Sequence, residues 1–275
     1  MIYTLLRTTK RIIKQCIGFS YPNNTLNIYK TLLFNILCFG LKDGLKFPIL
    51  IYGPIKLCII GTIKIHTPLR KGLVTIGKES FKTYNPSKFL NSGIIEIYGP
   101  VTIAGGCIIE NYGTIVCKGY NRISDNCMIL IREKLTIGEQ TSIGFHSHIM
   151  DSDDHFTINV LTGDIHKNTA PILLGNYNWF GNRTFIKKGV VTPDYLIVAS
   201  PNALLTKNYS EIPPYSIVGG APIKLIKTGF RRIYNNNIEL LLKTNFKNSN
   251  TTIINIANIT NEKDLDNICQ NIPLK

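Results

Sequence analysis

The sequence predicts an all-β solenoid, in which short parallel strands coil into a triangular prism. Short β-branched runs separated by glycines recur from about residue 46 onward. These runs follow a six-residue period, and almost no helical periodicity interrupts them. A single coil of this kind cannot bury its aliphatic residues, so coils stack and share one elongated core.

Two consecutive six-residue units show the period most clearly, over residues 137–142 (IGEQTS) and 143–148 (IGFHSH). In each unit the aliphatic residue fills the interior, the glycine permits the corner, and a later small residue packs inward. Looser copies begin at Ile76, Ile103 and Phe180. With coils stacked at the ~4.8 Å spacing of paired strands, the pattern predicts a solenoid domain over residues 46–228.

The two ends of the chain differ from this domain. Residues 1–45 predict a basic, helical N-terminal segment, because six basic residues precede the first acid, Asp43. Its first part is either a helix packed on its own domain or an interfacial helix that contacts anionic lipid. The apolar run 31–41 is far shorter than the ~20 residues that span a bilayer. Residues 229–275 predict a helical tail that caps the open end of the solenoid.

Composition and charge limit the class of protein. The chain has 275 residues, of which 44% are hydrophobic, so it can form one large domain and is not disordered. Its net charge of +14 favours polyanions, anionic cofactors or membrane surfaces as partners. The seven cysteines show no CxxC pairing, so we expect them to be reduced and mostly buried.

The C-terminal coils carry an ordered series of motifs. These are NYNWFG (176–181), IKKGVV (186–191), IVAS (197–200), LLTK (204–207) and IPPYSIVGGAPIK (212–224). The series resembles the C-terminal signature of the hexapeptide-repeat acyltransferases. The segment MDSDDH (150–155) is similar to the MDxDxH segment of the sugar, capsule and lipopolysaccharide O-acetyltransferases within that family.

The resemblance covers residues 46–228 and implies a left-handed parallel β-helix. It also implies transfer of an acetyl group from acetyl-CoA to a hydroxyl of a sugar or surface-glycan precursor, in the cytoplasm or at the inner membrane face. Three departures from the family pattern bear on the cofactor contacts: Ala199 replaces a glycine, Gly220 replaces an asparagine, and the step from Val198 to Leu205 is one residue long.

The resemblance makes His155 the general base, because a near-neutral imidazole can accept the proton of an attacking hydroxyl. Asp151 and Asp153 precede it, and a carboxylate bound to one imidazole nitrogen would fix the tautomer and stabilise the imidazolium. We expect the other four histidines to be structural or exposed. They are His66, His146, His148 and His166.

The same resemblance places the acetyl-CoA arm along the C-terminal coils. It puts Trp179 and Gly181 near the reactive end, Ala199 and Ser200 beside the arm, and Lys207 and Lys224 near the nucleotide phosphates. Residues 156–171 break the repeat, and in the resembling enzymes such a loop projects toward a neighbouring subunit. A homotrimer with sites between subunits is therefore expected, without a metal ion and without a nucleic-acid partner.

Two other function classes stay open. A zinc enzyme of the γ-carbonic-anhydrase type shares the solenoid and would need three histidines, which His146, His148 and His155 could supply. A non-catalytic solenoid could serve as a binding scaffold, since fold alone does not determine function. Stoichiometric zinc would favour the first class, and failure to bind CoA would favour the second.

Overall fold

The computed structural model describes residues 24–78, 85–255 and 261–270. Within these ranges the chain forms helices α1 (Ile28–Gly44), α2 (Asn236–Asn248) and α3 (Glu262–Cys269), together with three β-sheets. The amphipathic pattern expected near the N-terminus falls on residues 1–23, which lie outside the described residues.

The strands divide among the sheets in strict rotation. The first sheet contains β1 (Ile49–Ile51), β4 (Val74–Ile76), β7 (Val101–Ile103), β10 (Asn121–Ile123), β13 (Ser142–Ile143), β16 (Trp179–Phe180), β18 (Ile197–Val198), β20 (Ile217–Gly219) and β21 (Lys224–Lys227). The second contains β2 (Ile55–Ile59), β5 (Ser87–Asn91), β8 (Ile108–Asn111), β11 (Met128–Ile131), β14 (His148–Met150), β17 (Phe185–Ile186) and β19 (Leu204–Leu205). The third contains β3 (Thr62–Ile65), β6 (Ile94–Ile97), β9 (Thr114–Cys117), β12 (Lys134–Ile137) and β15 (Ile172–Leu174).

This rotation makes the chain a β-helix with three faces. Every strand pairing within the sheets is parallel except the last, where β21 runs antiparallel to β20. Inward side chains form buried ladders along the axis, for example Ile103, Ile123 and Ile143. The predicted fold class, an all-β solenoid with helical segments at both ends, is confirmed.

The coils are longer than the six-residue period predicts. Ile123 pairs with Ile143, 20 residues ahead, whereas Phe180 pairs with Val198, 18 residues ahead. A strict six-residue register over most of the domain was therefore wrong, because β8 and β9 in the earlier coils have four residues each, against two in β17. The long step after Val198 is confirmed, since Ile186 pairs with Leu205, 19 residues ahead.

Helix α1 covers the first coil. The amide of Asn35 bonds to the carbonyl of Ile49 at 2.7 Å, and its Oδ1 accepts from the Ile49 N–H at 3.0 Å. The hydroxyl of Thr31 accepts from the N–H of Ile51 at 3.0 Å. The helix thus satisfies edge groups of β1 that would otherwise attract another strand. No helix in the described ranges is long and apolar enough to cross a membrane.

The C-terminal tail packs along the prism instead of capping its end as predicted. Only β21 covers the last strand of the first sheet. Beyond it the chain runs back toward earlier coils, because stacked tyrosines offer an aromatic surface to its arginines. Tyr195 stacks on Tyr177 and on Tyr215 with centroids 4.7 Å apart, and the Arg231 guanidinium lies 4.5 Å from the Tyr195 ring while pairing with Asp266.

The described cysteines are free thiols. Cys107, Cys117, Cys127 and Cys269 are buried, and burial raises the pKa of the Cys117 thiol to about 12. These thiols are therefore packing groups, in line with the expectation of reduced, mostly buried cysteines. Cys16 lies outside the described residues.

Candidate active site

The predicted base lies where the chain leaves the prism. After β14 the backbone turns outward, and isolated antiparallel bridges pair Ser152 with Thr169 and Ile158 with Ile165 before the chain re-enters at β15. His155 is exposed on the turn that begins this excursion. We call the corner between the second and third sheets, from which the excursion departs, the His155 edge.

Asp151 is fully buried at the start of the turn. Its carboxylate accepts hydrogen bonds from the backbone N–H groups of Arg132, Glu133 and Lys134, each at 2.8 Å. A carboxylate with several backbone donors is well satisfied without a cation. Asp151 therefore fixes the point at which the excursion departs from the preceding coil.

Asp153 ties the other side of the turn to the following coil. Its Oδ2 lies 2.6 Å from the Lys188 ammonium, and its Oδ1 lies 3.4 Å from that of Lys187. The hydrogen bond from Lys188 lowers the pKa of the Asp153 carboxyl. Asp154 in turn pairs with Arg132 at 3.2 Å.

The His155 imidazole has no carboxylate partner in the described part of the chain, while its N–H donates to the Asp153 carbonyl at 2.7 Å. The two predicted partners, Asp151 and Asp153, are bound to backbone amides and lysines. They hold the turn in place, and orientation of the imidazole by either carboxylate stays a prediction.

The residues predicted to line the acetyl-CoA arm lie on a different corner. Trp179 pairs with Ile197 in the first sheet, so Gly181 and Ala199 follow at the same height on consecutive coils. Ser200 comes next and donates to the Asn182 carbonyl at 3.3 Å. We call this corner, between the first and second sheets, the Gly181 edge.

Close backbone stacking explains the small residues of the Gly181 edge. A Cβ added to Gly144 would lie 2.6 Å from the carbonyl carbon of Gly181, and one added to Gly181 would lie 2.7 Å from the Val198 oxygen. Larger side chains would force the coils apart. The edge therefore presents backbone and small side chains as a shallow strip.

The two predicted lysines are not with the strip. Lys207 follows β19 on the His155 edge, with its ammonium 5.9 Å from the Tyr209 ring. Lys224 begins β21 and is exposed opposite Gly219. The structure thus groups Trp179, Gly181, Ala199 and Ser200 on one edge and places Lys207 with His155 on the other.

Two further histidines differ in their surroundings. His146 is exposed in the corner that leads from the first to the second sheet, one coil before Arg183. His148 is half-buried against Phe185 with ring centroids 4.8 Å apart, and burial, with a smaller effect of His146, lowers the pKa of its imidazole. In the described residues no three His, Cys, Asp or Glu side chains are grouped so that they could hold a metal ion.

Sequence reasoning missed three residues on the outer face of the first sheet. Arg122, Gln140 and Arg232 line two adjoining cavities of about 260 and 240 Å³ beside Trp179. The Arg232 guanidinium lies 4.7 Å from the Trp179 ring. The outward position of Arg122 in a predicted strand was visible in the sequence, but the approach of Arg232 from the distant tail had no local signal.

Comparison with known proteins gave structural likenesses only. No protein-family profile and no curated protein matches the chain. Among solved structures it is similar to the polysialic-acid-specific acetyltransferase NeuO, with 18% identity and a TM-score of 0.37 over 69% of this chain and 99% of that one. It is similar to the polysialic acid O-acetyltransferase OatWY, with 21% identity and a TM-score of 0.40 over 70% and 98% of the two chains. It is also similar to AntD, an N-acyltransferase from Bacillus cereus in complex with dTDP and 3-hydroxybutyryl-CoA, with 15% identity and a TM-score of 0.36 over 74% and 89%.

Proposed function

We propose that this protein is an acetyl-CoA-dependent O-acetyltransferase that acts on a hydroxyl of a sugar or surface-glycan precursor. The observation that carries the proposal is the Gly181 edge. The motif residues Trp179, Gly181, Ala199 and Ser200 come from two consecutive coils and meet on one strip of close-packed backbone. Such a strip suits a thin pantetheine arm, whose amides need backbone partners and whose chain needs no deep pocket.

In the proposed reaction His155 removes the proton from the acceptor hydroxyl as the oxygen attacks the thioester carbonyl. The carbon–sulfur bond breaks, CoA leaves as thiolate, and the imidazolium returns the proton to the sulfur. Transfer is direct, without an acyl-enzyme. Asp151 and Asp153 act as positioning residues, because they fasten the turn that carries His155 to the coils before and after it.

The proposal includes a homotrimer. His155 and the Gly181 strip lie on different edges of one prism, so a second copy is needed to bring an imidazole to the strip. The excursion also exposes apolar side chains that a neighbouring subunit would cover: Val160 is 89% exposed and Leu161 91% exposed. A cyclic arrangement of three prisms would place one excursion over each strip.

We assign the activity to the cytoplasm, where acetyl-CoA is supplied. Peripheral contact with the inner membrane face, through the basic residues before residue 24, stays part of the proposal and concerns residues outside those that the structure describes. A basic segment of this kind would hold the enzyme near lipid-linked acceptors.

The test of the function is acceptor-dependent release of free thiol from acetyl-CoA. Nucleotide sugars, simple sugars and lipid-linked glycan precursors are offered separately, and the acetylated product is identified by mass. We expect release with at least one acceptor and binding of CoA without any acceptor. Absence of CoA binding would contradict the proposal and favour the scaffold class, and stoichiometric zinc with CO₂ hydration would favour the carbonic-anhydrase class.

The shared site is tested by mixing two inactive variants, His155→Ala and Ala199→Glu, through unfolding and joint refolding. If each site combines His155 of one copy with the strip of another, about a quarter of the sites in random mixed trimers carry two intact halves. Activity should then recover to about that fraction. Refolded mixed trimers without activity would show that each chain carries its own complete site.

A further inference from the structure

The outer face of the first sheet carries a groove that the motif residues do not explain. Its floor is the outward ladder Thr102, Arg122, Ser142 and Trp179, in which each residue pairs with the next across neighbouring strands. Its roof is the returning tail, with Arg232, Tyr234 and Glu239. We call this space, formed by the two adjoining cavities beside Trp179, the Arg122 groove.

Positive charge dominates the groove. Neither the Arg122 nor the Arg232 guanidinium has an ion-pair partner in the part of the chain that the structure describes. The nearby Glu239 carboxylate is offset by Lys243, whose ammonium lies 3.6 Å away. Arg232 is held between two rings, 4.7 Å from that of Trp179 and 4.5 Å from that of Tyr234. A guanidinium stacked in this way keeps its N–H donors free for an anion.

Gln140 adds a second and independent sign of a ligand. It lines the same groove, is only 7% exposed, and its Oε1 has no hydrogen-bond partner among the described residues. A buried acceptor without a donor costs about 1–3 kcal/mol, so such atoms usually serve a bound group. The partner that Oε1 needs is a hydroxyl or an N–H.

We infer that the Arg122 groove binds an acidic sugar unit of the acceptor, with its carboxylate between Arg122 and Arg232 and a hydroxyl or N–H donating to Gln140. This assignment rests on the proposed function and names its acceptor class. Phosphate groups of CoA share the negative charge but lack the donor that Gln140 requires. The Trp179 ring adds an apolar surface on which a sugar ring can pack.

The test measures sugar binding without acetyl-CoA. Methyl glycosides of glucuronic, galacturonic and N-acetylneuraminic acid are titrated by calorimetry, with methyl glucoside and methyl galactoside as neutral probes. We expect at least one acidic glycoside to bind about tenfold or more tightly than the neutral probes, because a charge-assisted hydrogen bond contributes about that factor. Arg122→Gln should abolish the preference, and Gln140→Glu should weaken acid binding at least as much.

Arg70→Gln is the matched control, since Arg70 is exposed on an early coil away from the groove. It should bind the acids as the unchanged protein does, and circular dichroism melting shows that each variant is folded. Equal binding of acidic and neutral sugars, or no binding of any acid, would overturn the inference. Loss of CoA affinity in Arg122→Gln without loss of sugar affinity would assign the groove to CoA instead. Failure of the proposed function itself would appear separately, as unchanged sugar binding without CoA binding.

Discussion

The Lys188 ammonium lies 2.6 Å from Oδ2 of Asp153, two residues before His155. The pair joins the outgoing turn to a residue of the next coil. The Asp153 side chain is 41% exposed and that of Lys188 is 28% exposed, so the pair contributes little to stability, on the order of 1 kcal/mol or less. Its main effect in our account is to set the position of the imidazole.

Asp153→Asn should therefore separate positioning from stability. We expect the melting temperature to stay nearly unchanged, while acceptor-dependent thiol release falls about tenfold because a misplaced base is a poor one. Asp43→Asn is the matched control, because Asp43 and Lys46 form an exposed pair at 2.7 Å on α1. If Asp153→Asn and Asp43→Asn kept equal activity, the lysine pair would have no positioning role.

Asp151→Ala should show the opposite balance. Removal of the carboxylate leaves the N–H groups of Arg132, Glu133 and Lys134 without their acceptor in a buried corner. We expect a loss of about 3 kcal/mol or more in the free energy of unfolding, measured by urea denaturation. Asp164→Ala, in the exposed part of the excursion, should change it by less than about 1 kcal/mol. Equal losses in both variants would mean that the buried contacts of Asp151 are not what stabilises this corner.

Stability should also fall as the pH drops from 7 toward 5. Burial lowers the pKa of the His148 imidazole below its usual 6.5, so between these two pKa values the unfolded chain binds more protons than the folded one. The stabilising effect is fully present above pH 6.5 and is lost as the pH falls through that window. His148→Gln should flatten the dependence of melting temperature on pH, whereas His166→Gln, in the exposed excursion, should leave it unchanged. A slope unaffected by His148→Gln would assign the pH dependence to other groups.

The sequence predicted the solenoid because inward residues such as Ile137 and Ile143 recur at constant spacing, and this spacing survives in the structure. It did not predict the longer early coils. Their additional inward position is occupied by Asn91, Asn111, Ile131 and Asp151, a mixed set that no hydrophobic period detects. Asp151 therefore looked like part of a catalytic acidic cluster, although its buried carboxylate serves a backbone corner.

The motif strip was also visible in the sequence, since Trp179, Gly181 and Ala199 lie one coil apart. The Arg122 groove was not, because its roof comes from Arg232 in the tail. Contacts between residues so far apart in the chain depend on the stacked tyrosines that direct the tail backward, and a local pattern contains no information about them.

The most direct test of our central claim compares His155→Ala with His146→Ala in acceptor-dependent thiol release, with CoA affinity measured for both. His146 is the control because it is exposed in the corner before the strip, where this chain alone could offer another base. We predict that His155→Ala loses at least about a hundredfold in rate with unchanged CoA affinity, as expected when a general base is removed, while His146→Ala keeps most of the rate. Near-normal release by His155→Ala, or loss confined to His146→Ala, would contradict the assignment of His155 as the base.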